Sequence, residues 1–288
     1  MTLWLIEKLN HEFQEIALVS RGYGRKSKGL KKVLEGSPAS EVGDEPLLIK
    51  KAFPKVQVWV SENRANAVKA LESENNRPEI ILFDDAFQHL GIEGSFNLIL
   101  SRFDQPYFKD VLLPAGDLRE IPGTGRKPHA VIFTKTPYSI DESTQAKYKA
   151  KVEKKFKVPV FFSHQSYGKP KNLKGEELME FPERIALITG IAFGNDLESY
   201  LSSETKVIKH FHYPDHHAFR ESDIRDWTQF EESYKDLVWM TTEKDLVRMP
   251  KGFLEPRMNR VFFQPVRPGF EKETEEEVLA LIRNQINQ

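Results

Sequence analysis

The sequence predicts an α/β fold built around a mostly parallel sheet, and three observations predict it. Short, continuous apolar runs recur along the chain, the pattern of strands buried on both faces. Helical segments separate these runs, which makes βαβ units. One run, Ile80-Ile81-Leu82-Phe83, stops abruptly at two carboxylates, Asp84 and Asp85, followed by Ala86, Phe87, Gln88 and His89. Open α/β sheets bind their ligands at the carboxyl edge of such strands.

Taken in order, Met1 to Leu9 reads as an amphipathic helix leading to a buried-type strand, Ile16-Ala17-Leu18-Val19-Ser20. The segment Arg21 to Lys32 holds six basic residues, three glycines and no acid. A strand at Val56–Val60, a helix from about Arg64 to Glu74 and the Asp84/Asp85 strand follow. Asn97–Leu100 and Ala130–Thr134 are further strands. Between Tyr138 and about Glu183 the composition changes to a Lys-rich helix, a Val158–Phe162 strand and a polar Gly/Lys stretch. The change puts a domain boundary there, dividing a core of residues 1–150 from a smaller C-terminal α/β domain of residues 151–288. That second half restarts with Ile185–Gly190, adds Leu237–Thr241 and ends in a charged helix. No internal repeat or low-complexity segment occurs.

Composition narrows the function. With 288 residues, 39% hydrophobic and 30% charged, the chain is that of an ordinary globular protein, and its formal net charge of −1 argues against a general nucleic-acid binder. There are no cysteines, which excludes disulfides and thiolate metal sites. No apolar run reaches the roughly 18 residues that span a bilayer. The N-terminus lacks the basic region and cleavage site of a secretory signal.

Several motifs carry chemistry. Asp84 and Asp85 are hard oxygen ligands of the kind Mg²⁺ takes together with substrate phosphates; a solvated Asp-Asp turn is the plain alternative. Arg21-Gly22-Tyr23-Gly24-Arg25 follows a strand directly. Its glycines permit close backbone approach and its arginines can grip phosphate, although on this pentapeptide alone a solvated basic turn is favoured. Asp44 and Glu45, in Val42-Gly43-Asp44-Glu45-Pro46, precede a helix beginning near Leu47. Capping accounts for them when taken alone, and a carboxylate there equally serves as a general base. Leu113 to Glu120 is a loop ending in Arg119-Glu120, where surface ion pairing competes with a role beside a developing phosphoryl charge. Tyr213-Pro214-Asp215-His216-His217 joins a carboxylate to an imidazole that can shuttle a proton; sequential histidines rarely ligate one metal, which disfavours zinc. In Thr241-Thr242-Glu243-Lys244-Asp245 the lysine can meet an anion, but a capped helix start is the simpler account.

In this order the motifs resemble those of the tetraacyldisaccharide 4'-kinases, which phosphorylate a lipid A precursor. The resemblance rests on Ser20 to Arg25, Val42 to Pro46, Asp84 to His89, Leu113 to Glu120, Asp215-His216 and Thr242 to Asp245, spread over essentially the whole chain. It implies a P-loop NTPase-like fold that moves the ATP γ-phosphate onto the 4'-hydroxyl of a membrane-held disaccharide 1-phosphate at the cytoplasmic face of the bacterial inner membrane. By the same resemblance Asp44 is the base, helped by His216. Arg119 lies near the transferred phosphate, and Glu45, Glu120 and Gln88 serve the nucleotide side. Asp84 and Asp85 position Mg²⁺, and Arg21, Tyr23 and Arg25 face the sugar or phosphate of the lipid. The implied partners are ATP, Mg²⁺, the glycolipid and a peripheral membrane contact, with no nucleic acid.

Two departures accompany the resemblance. Asp117 and Ala86 stand where Pro and Gly are common in the family. Family members also carry a membrane-associated helix, a strand and a Gly-rich loop ending in Gly-Lys-Thr upstream of the segment matching Met1 to Leu9, and these 288 residues hold no G-x-x-x-x-G-K-[ST]. That loop cradles phosphates through backbone N–H groups and a lysine. The expectation is therefore a chain that starts late or is truncated, with little ATP binding. Two other readings remain open: a non-catalytic remnant binding acidic glycolipid or membrane through Arg21, Arg25, Lys26, Lys28, Lys31 and Lys32, and a Mg²⁺-dependent phosphatase using Asp84 or Asp85, for which no partner motif is present.

Overall fold

The computed structural model describes residues 1–87, 91–116, 118 and 126–286. Along the chain run α1 (Thr2–Leu9), β1 (Ile16–Ser20), β2 (Lys31–Lys32), α2 (Ala39–Val42), α3 (Asp44–Ala52), β3 (Gln57–Val60), α4 (Arg64–Glu72) and β4 (Ile80–Phe83). There follow β5 (Leu98–Arg102), β6 (Ala130–Thr134), α5 (Glu142–Lys155), β7 (Val160–Phe162), β8 (His164–Tyr167) and β9 (Lys171–Asn172). The rest comprises β10 (Arg184–Thr189), α6 (Gly194–Glu204), β11 (Lys206–His212), α7 (Glu221–Glu232), β12 (Val238–Thr242), α8 (Glu243–Leu246), α9 (Lys251–Leu254), β13 (Val261–Gln264), β14 (Val266–Gly269) and α10 (Lys272–Ile286). The α/β expectation holds, and most strand pairs are parallel.

The chain forms two compact units, and they interleave. One comprises residues 1–20, 63–166 and 267–288; the other comprises 21–62 and 167–266. A single division at 150/151 misses this, because composition does not reveal that the last helix returns to the first core.

In the first unit β1 pairs in parallel with β4, and β5, β6 and β7 form a parallel set. All five residues of β1 are buried, as its unbroken apolar run predicts. In β4 only Ile80 is buried; among the described residues β4 ends its sheet and pairs with β1 alone. Alternation along β6 sets the layers. Val131 and Phe133 pack with Val152 and Phe156 of the α5 segment, while Ala130 and Ile132 pack with Trp4 of α1 and with Val278, Leu279 and Ile282 of α10. Helices thus cover both faces, as a parallel sheet requires.

The second unit holds a five-stranded sheet in the order β11-β10-β12-β13-β9, parallel except for β9 at the edge. Here β10 alternates in the same way. Ala186 and Ile188 face Trp227, Trp239 and Phe253, and Ile185 and Leu187 face Leu197 and Leu201 of α6. From β10 the chain crosses through α6 to β11 on one side, then through α7 to β12 on the other. The carboxyl ends of β10 and β12 therefore flank a topological switch point, where open sheets leave a crevice for ligands. A short antiparallel pair, β2 and β3, belongs to the same unit.

Candidate active site

The switch point of the second unit gathers charged side chains from three separate stretches of sequence. α8 starts as the Thr-x-x-Asp signature implies: Thr242 Oγ1 accepts from the Asp245 backbone N–H at 2.9 Å and donates to Asp245 Oδ2 at 2.7 Å. Asp245 is fully buried, and its Oδ2 also accepts the Gly190 N–H at 3.0 Å. Arg248, three residues on, is an ion-pair partner of Asp245 and donates to the Gly190 carbonyl. A Cβ at Gly190 would lie 2.9 Å from the Arg248 guanidinium, so a larger residue at the end of β10 would displace that side chain from the pair.

Arg248 then reaches Asp44 Oδ2 at 3.2 Å, and His216 Nδ1 lies 3.0 Å from the same oxygen. The Asp44 side chain is 13% exposed. Asp44 stands in the first turn of α3, where the helix dipole favours a carboxylate. The helix begins at Asp44 itself rather than near Leu47, because Gly43 at φ +92° turns the chain directly before it. Pro46 is tolerated there, since first-turn N–H groups have no intrahelical acceptor. His216, at φ +59°, hangs its backbone N–H on the Gly190 carbonyl at 3.0 Å. Lys244 completes the cluster: its Nζ lies 3.3 Å from His216 Nε2, 3.3 Å from Glu45 Oε1 and 3.5 Å from Asp215 Oδ1.

The glycine-rich segment closes over this group. Gly22 and Gly43, both at positive φ, abut so closely that a Cβ on Gly43 would sit 3.1 Å from Gly22 Cα and one on Gly22 2.7 Å from the Val42 carbonyl. This contact carries Tyr23, 69% exposed, to a ring distance of 5.5 Å from His216. Arg21 is exposed. Arg25 is turned inward, its guanidinium donating to Gly29 O at 2.8 Å and Glu62 at 2.6 Å. In this position it fastens its own loop.

In the first unit Asp84 and Asp85 follow β4 as predicted. Thr2 Oγ1 donates to Asp84 Oδ1 at 3.1 Å, and the Asp84 N–H bonds to Val19 O at 3.0 Å. Asp85 is exposed at φ +46°, and its carbonyl accepts from the buried Arg64 at 3.2 Å. Among the described residues no three His, Asp or Glu side chains form a metal cage. Gln88, Arg119 and Glu120 lie outside the described residues. Sequence reasoning passed over Arg248, Thr2 and Arg64. Arg248 had a local signal, its spacing of three from Asp245 and four from Lys244 on one helical path. The other two had none.

The comparisons with known proteins point the same way. A family model described as Tetraacyldisaccharide-1-P 4'-kinase matches residues 1–283. Similar curated proteins include the tetraacyldisaccharide 4'-kinases of Flavobacterium johnsoniae (33% identical; 93% of this chain and 77% of the relative), Flavobacterium psychrophilum (35%; 93% and 77%) and Porphyromonas gingivalis (34%; 90% and 76%). Among solved structures, LpxK of Aquifex aeolicus, crystallised in complex with ATP, is 26% identical and superposes with a TM-score of 0.73 over 99% of this chain and 82% of that one. With the motif order, the α/β fold and the family match in agreement over nearly the full length, the chain belongs to the tetraacyldisaccharide-1-P 4'-kinase family.

Proposed function

We propose that the chain transfers the γ-phosphate of ATP to the 4'-hydroxyl of a tetraacyldisaccharide 1-phosphate, with Asp44 as general base. One observation carries the assignment of Asp44. Its carboxylate is mostly buried, and two donors, His216 and Arg248, converge on Oδ2. Among the described residues Oδ1 has no hydrogen-bond partner and is the oxygen left to meet a hydroxyl. In the proposed step Asp44 takes the hydroxyl proton, the sugar oxygen bonds to the γ-phosphorus, and the bond from that phosphorus to the β–γ bridging oxygen breaks to release ADP. Positioning and charge neutralisation are what such a transfer needs from a protein.

Asp84 and Asp85 fit a divalent cation in their donor chemistry: adjacent hard oxygen ligands at a strand end suit a Mg²⁺ ion completed by phosphate and water. Such an ion supplies neutralisation of phosphate charge. Arg119, Glu120 and Gln88 keep the nucleotide-side roles the family resemblance implies. We assign the sugar contacts to Arg21 and Tyr23. The exposed Lys26 and Lys28, with Leu34 at 60% exposure a few residues on, suit a peripheral contact with an anionic membrane. No helix among the described residues is long and apolar enough to cross a membrane. ATP and a membrane-held acceptor meet at the cytoplasmic face of a bacterial inner membrane, and we read that as the site of action.

The test is phosphate transfer from ATP to the disaccharide 1-phosphate. Asp44→Asn is expected to lower kcat by about 10²–10⁴-fold, and chelation of Mg²⁺ is expected to abolish turnover. Because these 288 residues hold no Gly-rich Lys-Thr loop, transfer is measured beside a chain extended upstream by such a loop; no transfer by either, or an Asp44→Asn variant with unchanged kcat, overturns the reading.

A further inference from the structure

In the first unit a cavity of about 650 Å³ is lined by Glu93, Ser95, Asn97, Arg126, Lys127 and His129. Asn97 directly precedes β5 and His129 directly precedes β6, so the cavity opens at the amino ends of these strands. Parallel sheets seat their reacting ligands at the carboxyl ends, and the transfer reaction therefore gives this cavity no task. Its imidazole is fixed before any ligand arrives. His129 Nδ1 accepts the Asn97 backbone N–H at 2.9 Å, and the ring stacks on Phe96 with centroids 5.3 Å apart. A backbone N–H can only donate, so Nδ1 carries the lone pair and the ring hydrogen sits on Nε2. The Asn97 side chain braces the same turn by donating to the Gly94 carbonyl at 3.3 Å.

The other polar groups are uncommitted. Among the described residues the exposed side chains of Glu93, Ser95 and Lys127 make no hydrogen bond or ion pair, and nothing accepts from His129 Nε2–H. Two cations, a hydroxyl and a neutral imidazole N–H together supply the donors that phosphate oxygens take, and arginine can offer two of them side by side. Glu93 has only acceptors. It repels a bare anion, but it can accept from a hydroxyl on the carbon side of an ester.

We propose that this cavity binds a phosphate monoester of a small hydroxylated compound. Arg126, Lys127, Ser95 and His129 Nε2–H take the phosphate oxygens, and Glu93 takes a hydroxyl of the esterified part. The site stands independently of Asp44 as the base. The same headgroup chemistry occurs free in solution and at a lipid surface, and two probes separate these sources.

NMR of the chain labelled at histidine reads the His129 ring, assigned through His129→Gln. The probes are glycerol 3-phosphate in solution and vesicles containing phosphatidic acid, with inorganic phosphate as the comparison. Glycerol 3-phosphate is expected to move the His129 signals saturably and to bind more tightly than inorganic phosphate. Lys127→Met, at an exposed side chain without a partner among the described residues, is expected to weaken the ester at least about tenfold. Glu93→Gln is expected to remove most of the preference for the ester over inorganic phosphate. Shifts with the free ester assign a soluble ligand, shifts with the vesicles alone assign a lipid headgroup, and either supports the site. His129 signals unmoved by both probes, or an affinity unchanged in Lys127→Met, overturn it. A parent ring that carries its proton on Nδ1 removes the fixed donor and with it the proposal. Inorganic phosphate bound as tightly as the ester overturns the assignment to an ester.

Discussion

Arg248 donates to Asp44, to Asp245 and to the Gly190 carbonyl from a side chain that is 6% exposed. Two buried carboxylates therefore depend on one guanidinium whose planar fork addresses both. Arg248→Met leaves Asp245 and Asp44 without their common cation. Breaking a buried pair from one side costs about 3–5 kcal/mol, and urea denaturation is expected to register a loss of that order. A midpoint unchanged from the parent would show that the guanidinium adds no net stability. In the sequence this arginine shows only its spacing of three from Asp245 and four from Lys244. Asp44 and His216, 172 positions apart, offered no local spacing that joins them. Only the order of motifs along the whole chain brought those two together. Asp84 and Asp85 were legible locally, because a strand and the acids that end it are contiguous.

The N-terminus of α3 shows what pattern alone leaves out at the level of an element. The sequence reading starts this helix near Leu47, but the backbone has already turned at Gly43. That turn is set by contact with Gly22, a residue on another loop, and not by any neighbour in sequence. Gly43→Ala places a Cβ at φ +92° against that second backbone. The strain is of the order of 1–3 kcal/mol, and relief requires Asp44 to move. The expected outcome is a lower Tm together with a fall in kcat beyond what stability explains, measured by calorimetry and phosphate transfer. A variant that loses stability but keeps kcat would mean that Asp44 holds its place without the glycine pair. The strands were more readily legible: β1, β4, β6, β10 and β12 fall within a residue or two of their apolar runs, since burial of a continuous run fixes them without help from elsewhere.

At the scale of the whole molecule, stability responds to acid through His164 on β8. The imidazole lies under the Tyr138 ring at 3.9 Å, and Gly269 passes so close that a Cβ there would meet Nε2. Burial disfavours the charged ring and holds its pKa below the ordinary histidine value, although the Glu271 carboxylate opposes this. The unfolded chain then takes up a proton at higher pH than the folded one. Stability is complete above the ordinary histidine range and falls as the pH drops through it. Thermal melts are expected to show a falling Tm on mild acidification, with a smaller slope in His164→Gln; equal slopes would remove His164 from the account.

The two units were the least legible feature, because membership is decided by contacts such as Trp4 Nε1 donating to Glu275 at 2.9 Å across 271 positions. Arg267 to Glu7 and Arg283 to Glu12 bind the same two ends of the chain. This has a consequence for synthesis. On a ribosome, α1 and β6 emerge long before α10, the helix that covers the face they share. That apolar surface stays open until α10 has been synthesised, so chaperone demand should peak before that helix leaves the ribosome.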